Sequence, residues 1–253
     1  MTINFKNENL KNMLLVFLAF LLVYITLFEF ILPVNRILPK PSLLWESFIA
    51  LWAHYSLLQN FLVTGSVVYL GIIAGYLIIS FLSGYLIKLN VELPGFFNGL
   101  RLFRYFPAFF FAMLFSFWFE GSLTGEYIFA ISCAVIFIGI ALNNSLKEIK
   151  SEYVYAALSL GIKKEKIYRD VIWKLNQPAV VRTLSRLHIY LWTLILIFEF
   201  IGASSGLGNV YRFIIYYNDF AALFASAVFI SVVIWIGNIL IGFIENKLIR
   251  WEA

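Results

Sequence analysis

Charge is what this chain has least of. Only 13% of its 253 residues are Asp, Glu, Lys or Arg, where a soluble domain carries about 25%. Cysteine is nearly absent as well: Cys133 stands alone, so no disulfide within the chain is possible. It lies in an apolar run and reads as a small buried hydrophobe. Histidine occurs twice, at His54 and His188. There is no HExxH pair, no paired-Cys zinc spacing and no Walker A phosphate loop, so no metal site and no ATP site is expected here.

Apolar runs take the place of charge. Hydrophobic residues make up 62% of the chain, aromatics 19%, and the mean hydropathy is +0.88. Six runs approach the length of about 20 residues that a helix needs to cross a ~30 Å hydrocarbon core. They fall near Met13–Leu32, Phe61–Ile87, Leu102–Phe119, Tyr127–Leu142, Leu187–Ile201 and Phe220–Ile244. The fourth and fifth are short by that measure. Glycines recur within them (Gly65, Gly71, Gly75, Gly84, Gly139), and small residues let membrane helices approach closely. The first run is longer than a signal-peptide core, and LPVNRILPKP after it offers no small-x-small cleavage site. It is expected to be a retained helix.

Lys and Arg set the orientation. With the N-terminus inside and six alternating spans, only Arg36, Lys40 and Arg212 of the nineteen Lys and Arg fall outside. That is a strong positive-inside bias. The net charge of +5 therefore reports topology, and no nucleic-acid partner is expected.

The stretch Gly202–Gly206, GASSG, matches the nucleophile pattern of many hydrolases. In those enzymes the serine sits on a strand-to-helix turn and the histidine follows it. No histidine follows Ser204, and His188 lies sixteen residues before it, about 24 Å along a helix. No catalytic residue is assigned. Two readings of Glu199, Ser204, Ser205, Gly206 and Gly208 stay open: a pathway-lining break in the helix, or an ordinary turn with Glu199 near the interface. A carboxylate in a span costs roughly 2.5–3.5 kcal/mol at mid-membrane, so it usually faces a cavity or a partner.

The longest polar segment, Lys147 to Arg186, lies on the inside. Tyr153, Ala156, Ala157 and Leu160 follow i, i+3, i+4, i+7 spacing on a short helix, and Gly161 interrupts it as a C-cap or kink. A second short helix is expected to carry Ile167, Val171, Ile172 and Leu175 on one side, opposite Lys163, Lys164, Lys166 and Arg169, with Pro178 ending it. A pair of helices lying on lipid headgroups would prefer bulky residues on the buried face. The paired alanines favour a protein-docking loop.

On these residues the chain resembles a known family. Ala156, Ala157 and Gly161, with a proline downstream, resemble the Glu-Ala-Ala cytoplasmic loop of ABC importer permeases. EFIGASSGLGNVYRF (Glu199–Phe213) is similar to the signature ending the fifth span in the nitrate/taurine/sulfonate branch. LPKPSLLWESF (Leu38–Phe48) resembles the segment after the first span, and LRLFRYFPAFFFA (Leu100–Ala112) the Arg-Pro-x-Pro entry to the third. The four stretches run in one colinear order over nearly the whole chain.

The resemblance implies an all-α integral membrane protein of the type I importer permease fold, with six transmembrane helices, both termini cytoplasmic, and residues 1–253 as one permease domain. It implies a bacterial cytoplasmic (inner) membrane, a second permease subunit, two cytosolic ATPases that hold ATP and Mg, and an extracytoplasmic binding protein. No cofactor is expected on this chain, and hydrolysis falls to the ATPases. Tyr155, Ala156, Ala157, Gly161, Ile162 and Lys163 would form the ATPase-coupling loop within 147–186, and Glu199, Ser204, Ser205, Gly206 and Gly208 would shape the outer pathway. Relatives carry small anions or vitamin-related heterocycles. The chain departs from the pattern at Tyr155, where the family has Glu, at Lys174, where it often has Pro, and at Tyr105, where it often has the first entry proline. A stand-alone channel or secondary transporter is the other class in view. It would not require the loop, and such carriers often show internal repeats and ionisable pairs within spans; no repeat between the halves is visible here.

Overall fold

A computed structural model describes residues 4–32, 39–93, 99, 105–119, 121–149 and 151–249. Among the described residues the regular structure is entirely helical. In chain order the helices are α1 (Asn4–Ile25), continued by a π-helical stretch Thr26–Ile31, α2 (Pro41–His54), α3 (Leu57–Glu92), α4 (Ala108–Trp118) and α5 (Leu123–Ser145), extended by a 3-10 turn Leu146–Glu148. Then follow α6 (Ser151–Ser159), α7 (Lys164–Lys166), a π-helical stretch Ile167–Ile172, α8 (Trp173–Val181), α9 (Leu184–Gly202), α10 (Leu207–Tyr216) and α11 (Phe220–Leu248).

Four helices among the described residues are long and apolar enough to cross a membrane: Leu57–Glu92, Leu123–Glu148, Leu184–Gly202 and Phe220–Lys247. The expected first and third spans coincide with shorter apolar helices, Leu18–Ile31 and Ala108–Trp118. Leu102 and Arg104, at the expected entry to the third, lie outside the described residues. The fourth span is longer than hydropathy suggests, 26 residues, because both its ends are polar. Ser122 caps it by accepting the Gly125 N–H at 3.4 Å, and Asn143 pairs near its other end with Asn90 at 2.6 Å.

The chain divides into two compact units, residues 1–57 with 213–230 and residues 58–212 with 231–253. In the first, the Tyr24 hydroxyl donates to the Pro39 carbonyl at 2.8 Å. Glu29 accepts the backbone N–H of Ser42 (3.2 Å) and its hydroxyl (2.9 Å) at the start of α2. Phe229 packs against Trp52 and Phe48, ring centroids 6.0 and 6.3 Å apart. Asp219 caps α11 through the Ala222 N–H at 3.0 Å and takes the Tyr55 hydroxyl at 3.2 Å.

The second unit is organised around α9, which packs on α4 and α5. Leu191, Trp192, Ile195 and Phe198 on it are buried. Lipid tails are as apolar as leucine, so close van der Waals fit drives such packing. Small residues set the distances: a Cβ on Gly71 would lie 2.8 Å from the Ala130 Cβ, and one on Gly75 2.5 Å from the Ala134 Cβ. α3 and α5 thus meet backbone to backbone through one small-xxx-small pair on each. At the start of α9, Glu245 accepts the Ser185 N–H (3.0 Å) and hydroxyl (2.7 Å). Glu29, Asp219 and Glu245 share one device: a carboxylate at a helix N-terminus satisfies orphan amides and the dipole, an effect of roughly 0.3–1 kcal/mol at exposed sites.

Pro178 does not end its helix. α8 runs on to Val181 with Pro178 inside it, against the expectation from sequence. Proline removes one hydrogen bond from a helix interior. Here the turn beyond it is held by packing, since Val180 and Val181 are buried, and by the Arg182 N–H donating to the Pro178 carbonyl at 3.0 Å.

Candidate functional site

The GASSG stretch forms a carboxylate knot. Glu199, near the end of α9, is completely buried. The Thr64 hydroxyl of α3 donates to its carboxylate at 2.7 Å (Oε1) and 3.0 Å (Oε2), and the Gly208 N–H donates to Oε2 at 2.8 Å. Thr64 Oγ1 in turn accepts the Leu207 N–H at 2.8 Å, and Asn60 Oδ1 accepts the Gly206 N–H at 2.8 Å. Three successive amides at the start of α10 therefore point at side chains of α3 and α9. The Glu199 carboxyl therefore sits on that helix N-terminus and takes one of its orphan amides.

Glycine is required at two places in the knot. Gly206 has φ +96°, a conformation L side chains rarely adopt, and a Cβ there would enter the Glu199 carboxyl. A Cβ on Gly208 would lie 2.6 Å from the Phe200 nitrogen and from the Glu199 Cβ. Of the two serines, Ser204 is exposed and its hydroxyl donates to the Gly121 carbonyl at 3.2 Å; Ser205 is half-buried. Arg212 clamps the loop, donating to the Ala203 carbonyl (3.1 Å) and to Asn209 Oδ1 (2.6 Å). Of the two open readings, a loose turn does not describe this loop. Its Ala203, Gly206, Leu207, Gly208 and Asn209 are all buried.

Asn60 and Thr64 were not singled out from sequence. They lie 146 and 135 residues from their partners. The available signal was a pair of polar residues spaced i, i+4 in the first turns of an otherwise apolar span.

The segment before α8 forms a helical elbow. α6 closes on Gly161, φ +75°. The Ile162 N–H donates to the Ala157 carbonyl at 3.2 Å and the Gly161 N–H to the Leu158 carbonyl at 2.9 Å, which is the Schellman pattern at a left-handed C′ glycine. Nothing lies within 4 Å of a Cβ on Gly161, so conformation alone selects glycine there. Tyr155, Ala156 and Lys163 are exposed, Ile162 is half-buried and Ala157 is buried. Of the expected apolar stripe only Ala157 turns inward; Tyr153 and Leu160 are exposed. On the second helix Ile167 and Ile172 are buried and Leu175 is exposed, because the π-helical stretch Ile167–Ile172 rotates later residues off a 3.6-residue register.

The elbow is rooted in the membrane helices. α8 packs on α5, and Gln177 donates to the Tyr76 hydroxyl of α3 at 2.9 Å. Trp173, Asn176, Val180 and Val181 are buried at this root.

A cleft of about 880 Å³ runs along α4, α5 and α9. Asn144, Glu148, Thr183 and Arg186 line the end nearest the elbow, and Phe115, Phe129 and Leu194 the other. Phe129 stacks at 5.2 Å on Phe198, the residue before Glu199, and meets Phe115 at 5.5 Å with the rings tilted by 52°. None of Glu199, Ser204, Ser205, Gly206 and Gly208 is among the residues lining the cleft. The aromatic cluster separates it from the knot.

Residues 96–251 match the family model described as binding-protein-dependent transport system inner membrane component. The match covers more than half of the chain, so the chain belongs to that family. It is a membrane-embedded permease component of an ABC importer, a class that works with an ATPase and a substrate-binding protein. No curated protein and no solved structure matches it.

Proposed function

We propose that the chain is one half of a type I importer permease of the nitrate/taurine/sulfonate branch, a single domain with six spans and both termini in the cytoplasm of a bacterial cell. It pairs with a second permease subunit in the inner membrane and moves a small solute, an anion of the nitrate, sulfonate or taurine kind or a vitamin-related heterocycle, by alternating access. Each permease subunit seats one of two ATPases holding ATP and Mg, here on the elbow from Tyr155 to Lys163, and a binding protein delivers solute on the outer side. The chain itself is not an enzyme.

The observation that carries this reading is the elbow: a short exposed helix stopped by left-handed Gly161 and rooted in α3 and α5 by the half-buried α8. Such a rigid unit transmits movement of a docked ATPase to the spans behind it. The cleft along α4, α5 and α9 is the solute's route in a state open toward the elbow. The Phe115–Phe129–Phe198 cluster and the Glu199 knot close its outer end, and Glu199, Ser204, Ser205, Gly206 and Gly208 act there as a closure. A stand-alone channel or secondary carrier has no use for the elbow.

Gentle detergent purification of the tagged chain from its host, with mass spectrometry of what stays bound, tests the assignment. An ABC ATPase in comparable amount is expected, and the permease species present decide homodimer against heterodimer. A chain free of ATPase even after crosslinking would replace this reading with the channel or carrier.

A further inference from the structure

α6 is too short and too uncovered to stand by itself. Isolated helices below about 12–15 residues are marginal in water, and α6 has nine. From Glu152 to Leu160 only Ala157 is buried, while Tyr155 is 68% and Leu160 80% exposed. At 100° per residue, the centre of the outward arc carries Glu152, Ser159 and Ala156. Tyr155 and Leu158 flank it on one side, Tyr153 and Leu160 on the other. A flat bilayer surface would meet the polar centre and miss both apolar flanks. A concave groove reaches both.

The turn that follows is cationic. Lys163, Lys164 and Lys166 are exposed. Ion pairs such as Lys88–Glu92 and Arg169–Asp170 form elsewhere, while Lys163, Lys164 and Lys166 have no carboxylate partner among the described residues. Glu152 needs none, since it lies in the first turn of α6, where the helix dipole favours a negative charge.

We propose that the ATPase surface receiving this elbow is a concave groove with two apolar walls and an acidic rim. The walls grip Tyr155 with Leu158 and Tyr153 with Leu160, and the rim pairs with Lys163, Lys164 and Lys166. This rests on the coupling-loop assignment above and specifies the partner it needs. Buried aromatic anchors inside a charged rim are a common way to combine affinity with selectivity. A groove lined by cations, suited to a carboxylate at position 155, would meet a tyrosine and repel the lysines. The chain thereby selects one ATPase among those of related importers.

The test is salt-dependent retention of the ATPase by the purified complex in lipid-free detergent. Wild type should release ATPase progressively between about 0.05 and 0.5 M salt, as screening weakens the rim pairs. Lys163→Glu with Lys164→Glu should lower retention at low salt by roughly tenfold, the like-charge cost being 1.4 kcal/mol or more. Tyr155→Ala with Leu160→Ala should lose retention at every salt, with the chain still monodisperse on size exclusion. Charge-reversed chain that retains ATPase like wild type in detergent, and differs only in anionic nanodiscs, would overturn the proposal and give the lysines to lipid. Equal retention by all three proteins would also overturn it. Absence of ATPase from wild type even after crosslinking would instead overturn the coupling-loop assignment itself.

Discussion

Glu199 and Gly208 stand nine residues apart, and the Gly208 amide donates to the Glu199 carboxylate at 2.8 Å. Between them the chain leaves α9, turns through left-handed Gly206 and starts α10 with its amides facing back. An acid that is costly in a span becomes the anchor of the next helix.

Glycine substitutions should rank by what a Cβ would meet. Gly206→Ala combines a disfavoured φ with a collision at the Glu199 carboxyl, and Gly208→Ala presses on backbone at 2.6 Å. Both should lower the melting temperature of the detergent-solubilised chain strongly. Gly121→Ala has φ +65° but open space, so it should cost only about 1 kcal/mol. Equal shifts in all three would contradict the knot.

Thr64→Val removes the donor to Glu199 and the acceptor for the Leu207 N–H together. Leaving buried polar groups unpaired costs about 1–3 kcal/mol each, and Thr64→Ser should restore most of it. Thermal unfolding of the two variants beside wild type checks this. Ser204→Ala, which loses only an exposed 3.2 Å bond, should be close to neutral.

The elbow's root should matter to transport more than to folding. Gln177→Leu and Tyr76→Phe each break the 2.9 Å bond between α8 and α3, a loss of about 1 kcal/mol. ATP hydrolysis by the assembled complex should persist while solute uptake per ATP falls. Uptake that stays proportional to hydrolysis in both variants would show that the bond carries no motion.

Cys133 is the chain's one thiol and lines the cleft. A small membrane-permeant thiol reagent should label it in the nucleotide-free complex, and labelling should fall when ATP with vanadate closes the ATPases. Identical labelling in the two states would place the moving route elsewhere.

How much of this was legible follows the range of the interactions. Four of the expected spans show in hydropathy, and the left-handed stop at Gly161 shows as a glycine after a short helix, because both are local. The extent of α5 was under-read because Ser122 and Asn143 are polar but capped or paired. Pro178 misled, since a local rule for ending helices yields to the packing of Val180 and Val181. The knot was half visible: Glu199 and its glycines stood out, but Thr64 and Asn60 reach them across more than 130 residues. No spacing rule links positions that far apart.

We propose that energy enters through the elbow. ATP-driven uptake into proteoliposomes, measured for the complex carrying Gly161→Pro or Ala157→Trp, tests it most directly. Proline cannot take φ +75° and tryptophan cannot fit where Ala157 is 5% exposed. Both variants are expected to insert and pair normally yet transport nothing. Wild-type uptake in both would contradict it.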